Sequence, residues 1–139
     1  QKTNPPPNLA CRCFTHSTET ILWAKKNDKK SRHFFDYQKM KEMNGEKQMK
    51  DVWTGALTKP SEKTEGKHPT QKPEYLLEKI VLASTEEGQV ILDPFCGSGT
   101  TGVEAVRFGR KFIGIDVSEE YLEISKRRLE KVYGDAKEY

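Results

Sequence analysis

A glycine-rich segment flanked by acids is the part of the sequence whose residue types could do chemistry. It runs through Asp93, Pro94, Phe95, Cys96, Gly97, Ser98, Gly99, Thr100 and Thr101. Glycines leave the backbone bare, so a ligand can lie directly against it. Asp116 ends the next apolar segment, at the distance along the chain where an acid can accept hydrogen bonds from ribose hydroxyls. This spacing predicts a site for a cofactor that contains adenosine.

Two cofactors fit the glycines, and the acid before them favours one. Gly97, Gly99 and Gly102 satisfy the G-x-G-x-x-G pattern of nicotinamide dinucleotide sites, so a dehydrogenase is one interpretation. A carboxylate at Asp93 would repel a pyrophosphate, whereas it can pair with the ammonium group of a methionine moiety. Phe95 adds apolar surface beside it. The sequence therefore favours S-adenosylmethionine over NAD, and a glycine turn without a ligand is the third alternative.

The elements around this segment predict an α/β fold with a parallel sheet. We expect a helix opened by Pro73 at its first position, a short strand of the buried type over 89–92, a helix over about 100–108, a strand over 111–115, and a last helix capped by Ser118. In the last helix, Leu122, Ser125, Leu129 and Val132 would share one face. Helices that alternate with short strands in this order imply parallel strands joined by helical crossovers.

The first half of the chain is more polar and less regular. Its β-branched and aromatic residues predict a strand over 18–24, and a short helix is expected over 36–44, stopped by Gly45. Nine basic and four acidic side chains lie between residues 24 and 50, together with His33, Phe34, Phe35 and Tyr37. Such a segment suits either a phosphate-facing surface with stacking groups or a solvated loop.

Composition bounds the other function classes. The chain has 139 residues and a net charge of +3, and no apolar run approaches the ~20 residues of a membrane span. We expect no membrane partner and no secretory leader. Cys11, Cys13 and Cys96 lack the ligand pattern of a zinc site, so no metal is expected, and they indicate reduced thiols in a cytoplasm. Because the chain lacks an initiator Met, we expect it to be a piece of a longer product.

Three blocks resemble the motifs of amino-methylating DNA methyltransferases, which modify adenine N6 or cytosine N4. The first is the segment from Asp93 to Thr101, the second runs from Phe112 to Asp116 and is followed by Glu119, Glu120 and Tyr121, and the third is Lys67 to Pro73. Their order is similar to that of the permuted subgroup, in which the catalytic motif lies N-terminal to the cofactor motifs. The resemblance implies a Rossmann-like fold, incomplete in this chain. It also places Thr70 and Lys72 near the methionine end of S-adenosylmethionine, where a hydroxyl and an ammonium can bind a carboxylate.

This sequence departs from the pattern of that family in the catalytic motif. The family uses Asp, Asn or Ser, then two prolines, then an aromatic residue that stacks on a flipped base. Only Asn4, followed by Pro5, Pro6 and Pro7, comes close, and Pro7 cannot stack as an aromatic ring does. Residues 4–25 better resemble the region that follows the catalytic strand. We therefore expect no catalytic residue in this chain, with Asn4 as the one candidate.

These interpretations divide the chain into a part of the catalytic-half sheet (1–26), a variable target-recognition region (27–66) and a cofactor-binding part (67–139). The implied reaction is methyl transfer from S-adenosylmethionine to a base amine in duplex DNA, adenine N6 rather than cytosine N4, within bacterial or phage restriction–modification. Lys29, Lys30 and Arg32 are the expected DNA contacts. The expected partners are double-stranded DNA with a flipped base and the missing N-terminal part, and a homodimer stays open. A non-catalytic module that retains the fold is the alternative, and this chain alone is expected to be inactive.

Overall fold

The computed structural model describes residues 1–26 and 32–135. Within them lie four α-helices and one parallel pair of strands, with a short 3₁₀ helix at Pro60–Lys63. In chain order these are α1 (Tyr37–Met43), α2 (Glu74–Ser84), β1 (Val90–Asp93), α3 (Thr100–Arg107), β2 (Lys111–Gly114) and α4 (Glu119–Asp135). The predicted α/β organisation of the second half is confirmed.

β1 and β2 form a parallel pair in which Val90 lies opposite Lys111 and Asp93 lies opposite Gly114. Pairing continues beyond the strands, since the Ile115 N–H donates to the Asp93 carbonyl at 2.9 Å. α3 connects the two strands and packs on one face of the sheet. The carboxyl ends of both strands therefore meet at one edge, which places Asp93 and Asp116 together.

The opposite face of this sheet is open, which corrects the prediction of a fully buried strand. Val90 and Leu92 remain 57% and 59% exposed, and Ile113 and Ile115 are both 53% exposed. Burial alternates along both strands because α3 covers one face only. In the described ranges 1–26 and 32–135, no other element covers these four side chains.

Side chains cap the starts of α1 and α4, and of these two caps only Ser118 of α4 was predicted from the sequence. The Asp36 carboxylate accepts a hydrogen bond from the Lys39 N–H at 2.8 Å and so caps α1. Ser118 Oγ accepts from the Tyr121 N–H at 3.3 Å at the start of α4. These side chains satisfy backbone donors that have no partner within the first turn of a helix.

α2 begins differently from the prediction. Pro73 keeps an extended backbone (ψ 143°) and precedes the helix instead of forming its first residue. The first N–H of the helix, that of Glu74, donates to the Glu62 carboxylate at 2.9 Å. The missing capping side chain is therefore supplied by Glu62 of the 3₁₀ helix, twelve residues before Glu74, which sequence periodicity does not reveal.

The strand predicted over 18–24 is absent. That segment has no regular structure, and Ile21, Leu22 and Trp23 are exposed. A β-branched segment forms a strand only beside a neighbour that completes its hydrogen-bond ladder. Among residues 1–26 and 32–135, the one pairing of the N-terminal part is an isolated parallel bridge between Lys2 and Gly55.

The buried side chains lie where the helices meet. Met40, Leu82 and Ala83 form a cluster between α1 and α2, with Met43, Met49 and Phe108 packed against it. Val103, Ala105 and Ile124 are buried between α3 and its neighbours. This packing fixes α2, α3 and α4 around the segment that joins β1 to α3.

Candidate cofactor-binding site

The segment between β1 and α3, residues 94–99, is the glycine loop. Gly97 and Gly99 have positive φ angles of 51° and 75°, which L side chains rarely adopt. The Gly99 N–H donates to the Cys96 carbonyl at 2.8 Å and closes a tight turn. The chain thereby passes from the end of β1 into α3 within a few residues.

Both glycines are also required by close neighbours within the protein. A Cβ on Gly97 would lie 2.9 Å from His68 Nε2, and a Cβ on Gly99 would lie 2.1 Å from Ser125 Oγ. The sequence predicted bare backbone for the approach of a cofactor. The structure shows that the side on which a Cβ would project is filled by His68 and α4, so a ligand must use the other side of the loop.

Asp93 holds the loop to the first turn of α3. One carboxylate oxygen accepts from the Phe95 N–H at 3.1 Å, and the other accepts from Thr101 Oγ at 2.6 Å. Phe95 itself projects outward and is 87% exposed. Asp93 therefore has a structural function in addition to the predicted pairing with an ammonium group.

Asp116 links the second strand to the same loop. Its carboxylate accepts from the Ser118 N–H at 2.9 Å and from the Gly97 N–H at 2.8 Å. The hydrogen bond from the Ser118 N–H has the larger effect and that from the Gly97 N–H the next larger, and together they hold the pKa of the Asp116 carboxyl below its usual range. A carboxylate that stays ionised beside the loop is suited to accept hydrogen bonds from ribose hydroxyls.

Cys96 faces the protein interior. Its side chain lines a cavity of about 380 Å³ between β2 and α4, together with Phe112, Leu122, Leu129 and Tyr133. Burial raises the pKa of the Cys96 thiol. This cavity lies behind the loop and not at the strand ends, so a ligand at the strand ends would meet the backbone of Cys96 and not its sulfur.

The His68–Pro73 segment reaches the loop through His68. The His68 ring packs edge-on against Tyr121, with ring centroids 4.2 Å apart, and its other side lies against Gly97. Thr70 is exposed, and its N–H donates to His68 Nδ1 at 3.2 Å. His68 therefore packs between α4 and the glycine loop.

The Lys72 ammonium has a protein partner. It lies 2.8 Å from Glu19 Oε2, and Lys2 lies 2.6 Å from Glu19 Oε1. Hydrogen bonds from Lys2 and Lys72 lower the pKa of Glu19 to about 2. No local pattern indicates this pairing, because Glu19 and Lys72 are far apart along the chain.

The other predicted site residues lie in the first half. Lys29 and Lys30 fall outside the described residues, whereas Arg32 is exposed. Close to Arg32 in the chain, His33 and Phe35 pack against Trp23, with ring centroids 5.7 and 5.3 Å apart. The Asn4 side chain accepts a hydrogen bond from the Leu57 N–H at 2.8 Å, which ties it to a neighbouring loop.

The pattern of hydrophobic residues missed one functional candidate, Arg128. Its guanidinium is buried against the glycine loop, although arginines are usually taken as solvent-facing. The buried face of α4 consists of Ile124, Ser125 and Arg128. Among the expected residues of that face, Leu122, Leu129 and Val132 lie only at its partly buried border. No sequence signal separates Arg128 from the neighbouring basic residues.

The described residues contain neither a candidate metal site nor a membrane-spanning helix. In 1–26 and 32–135, no group of three or more His, Cys, Asp or Glu side chains could hold a metal ion. None of the helices in that part of the chain has the length and apolar character needed to cross a membrane.

Known proteins match this chain over most of its length. A family profile described as DNA methylase, of the N6/N4 methyltransferases, matches residues 1–127. Type II methyltransferase M2.LlaDCHI of Lactococcus lactis subsp. cremoris is 74% identical over 94% of the chain and 49% of its own length. Type II methyltransferase M2.DpnII of Streptococcus pneumoniae is 73% identical over 94% of the chain and 48% of its own length. The chain thus spans about half the length of these curated relatives.

Solved structures share the fold. The crystal structure of an M1.HpyAVI–SAM complex superimposes with a TM-score of 0.69, at 37% identity over 92% of this chain and 57% of that one. PvuII DNA methyltransferase, described as cytosine-N4-specific, gives a TM-score of 0.60 at 25% identity over 73% of this chain and 40% of that one. The Rossmann-like fold is thereby confirmed as a partial α/β fold, with one parallel pair of strands in the described residues. Because the family profile covers most of its residues, the chain belongs to the N6/N4 DNA methylase family.

Proposed function

We propose that this chain is the cofactor-binding part of a DNA methyltransferase that transfers a methyl group from S-adenosylmethionine to the exocyclic amine of a base. The observation that carries the proposal is the joining of Asp116 to the glycine loop through the Gly97 N–H. It places one ionised carboxylate beside a bare turn at the carboxyl ends of two parallel strands, where open α/β sheets bind nucleotides. The SAM complex of the M1.HpyAVI structure supports the choice of cofactor.

The described residues fit S-adenosylmethionine by their hydrogen-bond acceptors and their apolar surface. Asp116 retains acceptor capacity for ribose hydroxyls, and the exposed ring of Phe95 offers apolar contact beside the loop. When bound, the cofactor supplies a methyl group on a positively charged sulfur. The protein contributes position more than covalent chemistry: it holds the donor still, so that an amine can approach in line.

The cofactor assignment is tested by titrating the intact protein with S-adenosylmethionine and, separately, with NAD. The intact protein here means the longer protein that we propose contains this chain. We expect saturable binding of S-adenosylmethionine and none of NAD. Calorimetry serves as the readout because it needs no label. Binding of NAD with equal affinity, or absence of S-adenosylmethionine binding, would overturn the assignment.

We also propose that residues 27–66 contact DNA. The excess of basic over acidic side chains between residues 24 and 50 supports this, together with the exposed aromatic cluster of Trp23, His33 and Phe35. Basic residues bind phosphates. The plot of log affinity against log salt concentration has a negative slope, and each lost phosphate contact makes that slope less steep by about 0.9. Aromatic rings can stack on an unpaired base.

Charge reversal tests the DNA contacts. Changing Lys29, Lys30 and Arg32 to Glu in the intact protein should weaken DNA binding and flatten its salt dependence. Arg32→Glu and Lys111→Glu make a matched pair, since each reverses one charge and Lys111 lies at the start of β2, outside the proposed region. Equal effects of the two single changes would contradict the assignment of residues 27–66.

The catalytic contribution is proposed to come from residues outside this chain. The Asn4 oxygen is already engaged by Leu57, and an open apolar sheet face flanks the glycine loop. The chain also spans about half the length of its curated relatives. We therefore expect this chain by itself to bind cofactor without methylating DNA, and the longer protein to do both. Methylation by this chain alone at the rate of the longer protein would refute that division.

Adenine N6 is the proposed acceptor. The cytosine-N4-specific PvuII enzyme is 25% identical to this chain, less than the 37% of M1.HpyAVI, so the comparison gives no preference for N4. A cytoplasmic location follows from the proposed DNA substrate. Nucleoside analysis of methylated DNA decides between the two amines.

A further inference from the structure

Arg128 of α4 is a buried side chain that contacts the glycine loop. It is 6% exposed, and one guanidinium nitrogen donates to the Ser98 carbonyl at 2.8 Å and to Thr100 Oγ at 3.0 Å. The same nitrogen lies 3.4 Å from Ser98 Oγ. The contacts therefore bracket Gly99, the residue at which the chain turns into α3.

A second residue of α4 meets the same turn. Ser125 lies one helical turn before Arg128, on the same face, and fills the space beside Gly99. Two residues of one helix thus contact the turn. Asp116 holds the preceding glycine through the Gly97 N–H, so α4 and the end of β2 together fix consecutive residues of the loop.

The buried charge of Arg128 is balanced by α2. Its second terminal nitrogen donates to Glu74 Oε1 at 3.0 Å, and Glu74 Oε2 accepts from Arg107 at 3.1 Å. Removing one member of a buried ion pair leaves the other charge uncompensated. The planar guanidinium reaches the loop and Glu74 at once, a geometry that a lysine ammonium on its flexible stem does not reproduce.

We propose that Arg128, oriented by Glu74, is a positioning residue that holds the Ser98–Thr100 turn in the shape that binds cofactor. The inference rests on the proposed S-adenosylmethionine function and adds a residue to it. Arg128 acts on the protein side of the loop and needs no contact with the ligand. Its loss should let the turn relax, so that the Gly97 N–H and the Asp116 carboxylate no longer keep their spacing.

The test uses the intact protein with Arg128→Lys, Arg128→Met and Glu74→Gln. Arg127→Met is the matched control, because Arg127 is exposed and donates to the Glu65 carbonyl, away from the loop. Measurements are made well below the unfolding temperature of each variant. We expect Arg128→Lys to weaken S-adenosylmethionine binding by at least about tenfold, the factor that one charge-assisted hydrogen bond is worth. Arg127→Met should bind like the parent protein.

Two readouts separate positioning from general stability. The KM for S-adenosylmethionine should rise while DNA affinity stays unchanged, and the amides of residues 97–101 should exchange hydrogen faster while those of α2 do not. Glu74→Gln leaves Arg128 in place and should give a smaller change of the same kind, so the inference stays testable if Arg128→Met does not fold. Parent-like cofactor binding by Arg128→Lys would overturn the inference, whereas a parent protein that binds no S-adenosylmethionine would overturn the proposed function instead.

Discussion

Replacement of Gly99 by Ala tests how the loop and α4 fit together. Gly99 has a φ of 75°, and a Cβ there would lie 2.1 Å from Ser125 Oγ, 2.8 Å from Ser125 Cβ and 3.1 Å from Ser125 Cα. Rotation of the serine hydroxyl cannot relieve the last two contacts, because they involve the carbon framework of α4. The loop or the helix must therefore move.

The expected loss of stability in Gly99→Ala has two parts. A left-handed backbone conformation costs an L residue roughly 1–2 kcal/mol. Inserting a methyl group into a filled space typically costs a further 1–3 kcal/mol, so we expect Gly99→Ala to lower the free energy of unfolding by about 2–5 kcal/mol. Gly45 is the matched control, since its φ is 65° but no atom in the described part of the chain lies within 4 Å of its Cβ position. Gly45→Ala should therefore show the conformational part alone, roughly 1–2 kcal/mol.

Chemical denaturation of the intact protein, followed by circular dichroism, measures both free energies. A double-mutant cycle with Ser125→Gly isolates the contact, because that change removes the two nearest atoms. We expect the pair to be coupled by about 1–3 kcal/mol. Equal destabilisation by Gly99→Ala and Gly45→Ala, without coupling to Ser125, would refute the packing of α4 against the loop.

Three further predictions concern ionisable groups. Asp116→Ala should weaken S-adenosylmethionine binding in a calorimetric titration, and an unchanged dissociation constant would count against the ribose contact. Glu19→Gln removes the charge that pairs with Lys72 and should tighten S-adenosylmethionine binding in the same titration, whereas unchanged or weaker binding would count against a contact between Lys72 and the methionine carboxylate. Glu104→Gln should remove a pH dependence of stability between pH 4.5 and 7, measured by thermal unfolding, and an unchanged pH profile would exclude Glu104 as its source.

The sign of the Glu104 effect follows from its surroundings. Its side chain is fully buried, and one carboxyl oxygen has no hydrogen-bond partner among residues 1–26 and 32–135. Burial raises its pKa from 4.5 to about 7, against the attraction of Arg107 and with the repulsion of Glu74 and Glu78. The folded state thus holds an extra proton between these two pH values, so stability falls as pH rises through that window, by about 3 kcal/mol. Above pH 7 the Gln variant should be the more stable protein.

The sequence predicted the elements whose determinants are local. The strand–loop–helix passage from β1 to α3 and the Ser118 cap of α4 depend on neighbouring residues, and both are confirmed. The partners of Lys72 and Glu74 depend on chain segments that are distant in sequence, and no periodicity reports them. The strand expected over 18–24 failed for the same reason, since a strand needs a neighbour that a local pattern cannot supply.

The candidate site residues also differ in whether the local sequence indicates them. Asp93, Gly97, Gly99 and Asp116 were predicted as candidates from residue type and spacing, and the structure brings them together at one loop. Arg128 was not predicted, since hydrophobic periodicity assigns arginines to solvent. The packing of α4 against the loop converts it into a buried group.

We propose that the glycine loop binds the cofactor whose methyl group is transferred to DNA. Incubation of the intact protein with S-adenosylmethionine labelled in its methyl group and duplex DNA, followed by nucleoside mass spectrometry, tests it most directly. We predict label in N6-methyladenine, and we predict that this label is lost in the Asp116→Ala variant. Label that never enters the DNA, or label that enters equally well with Asp116→Ala, would contradict the account.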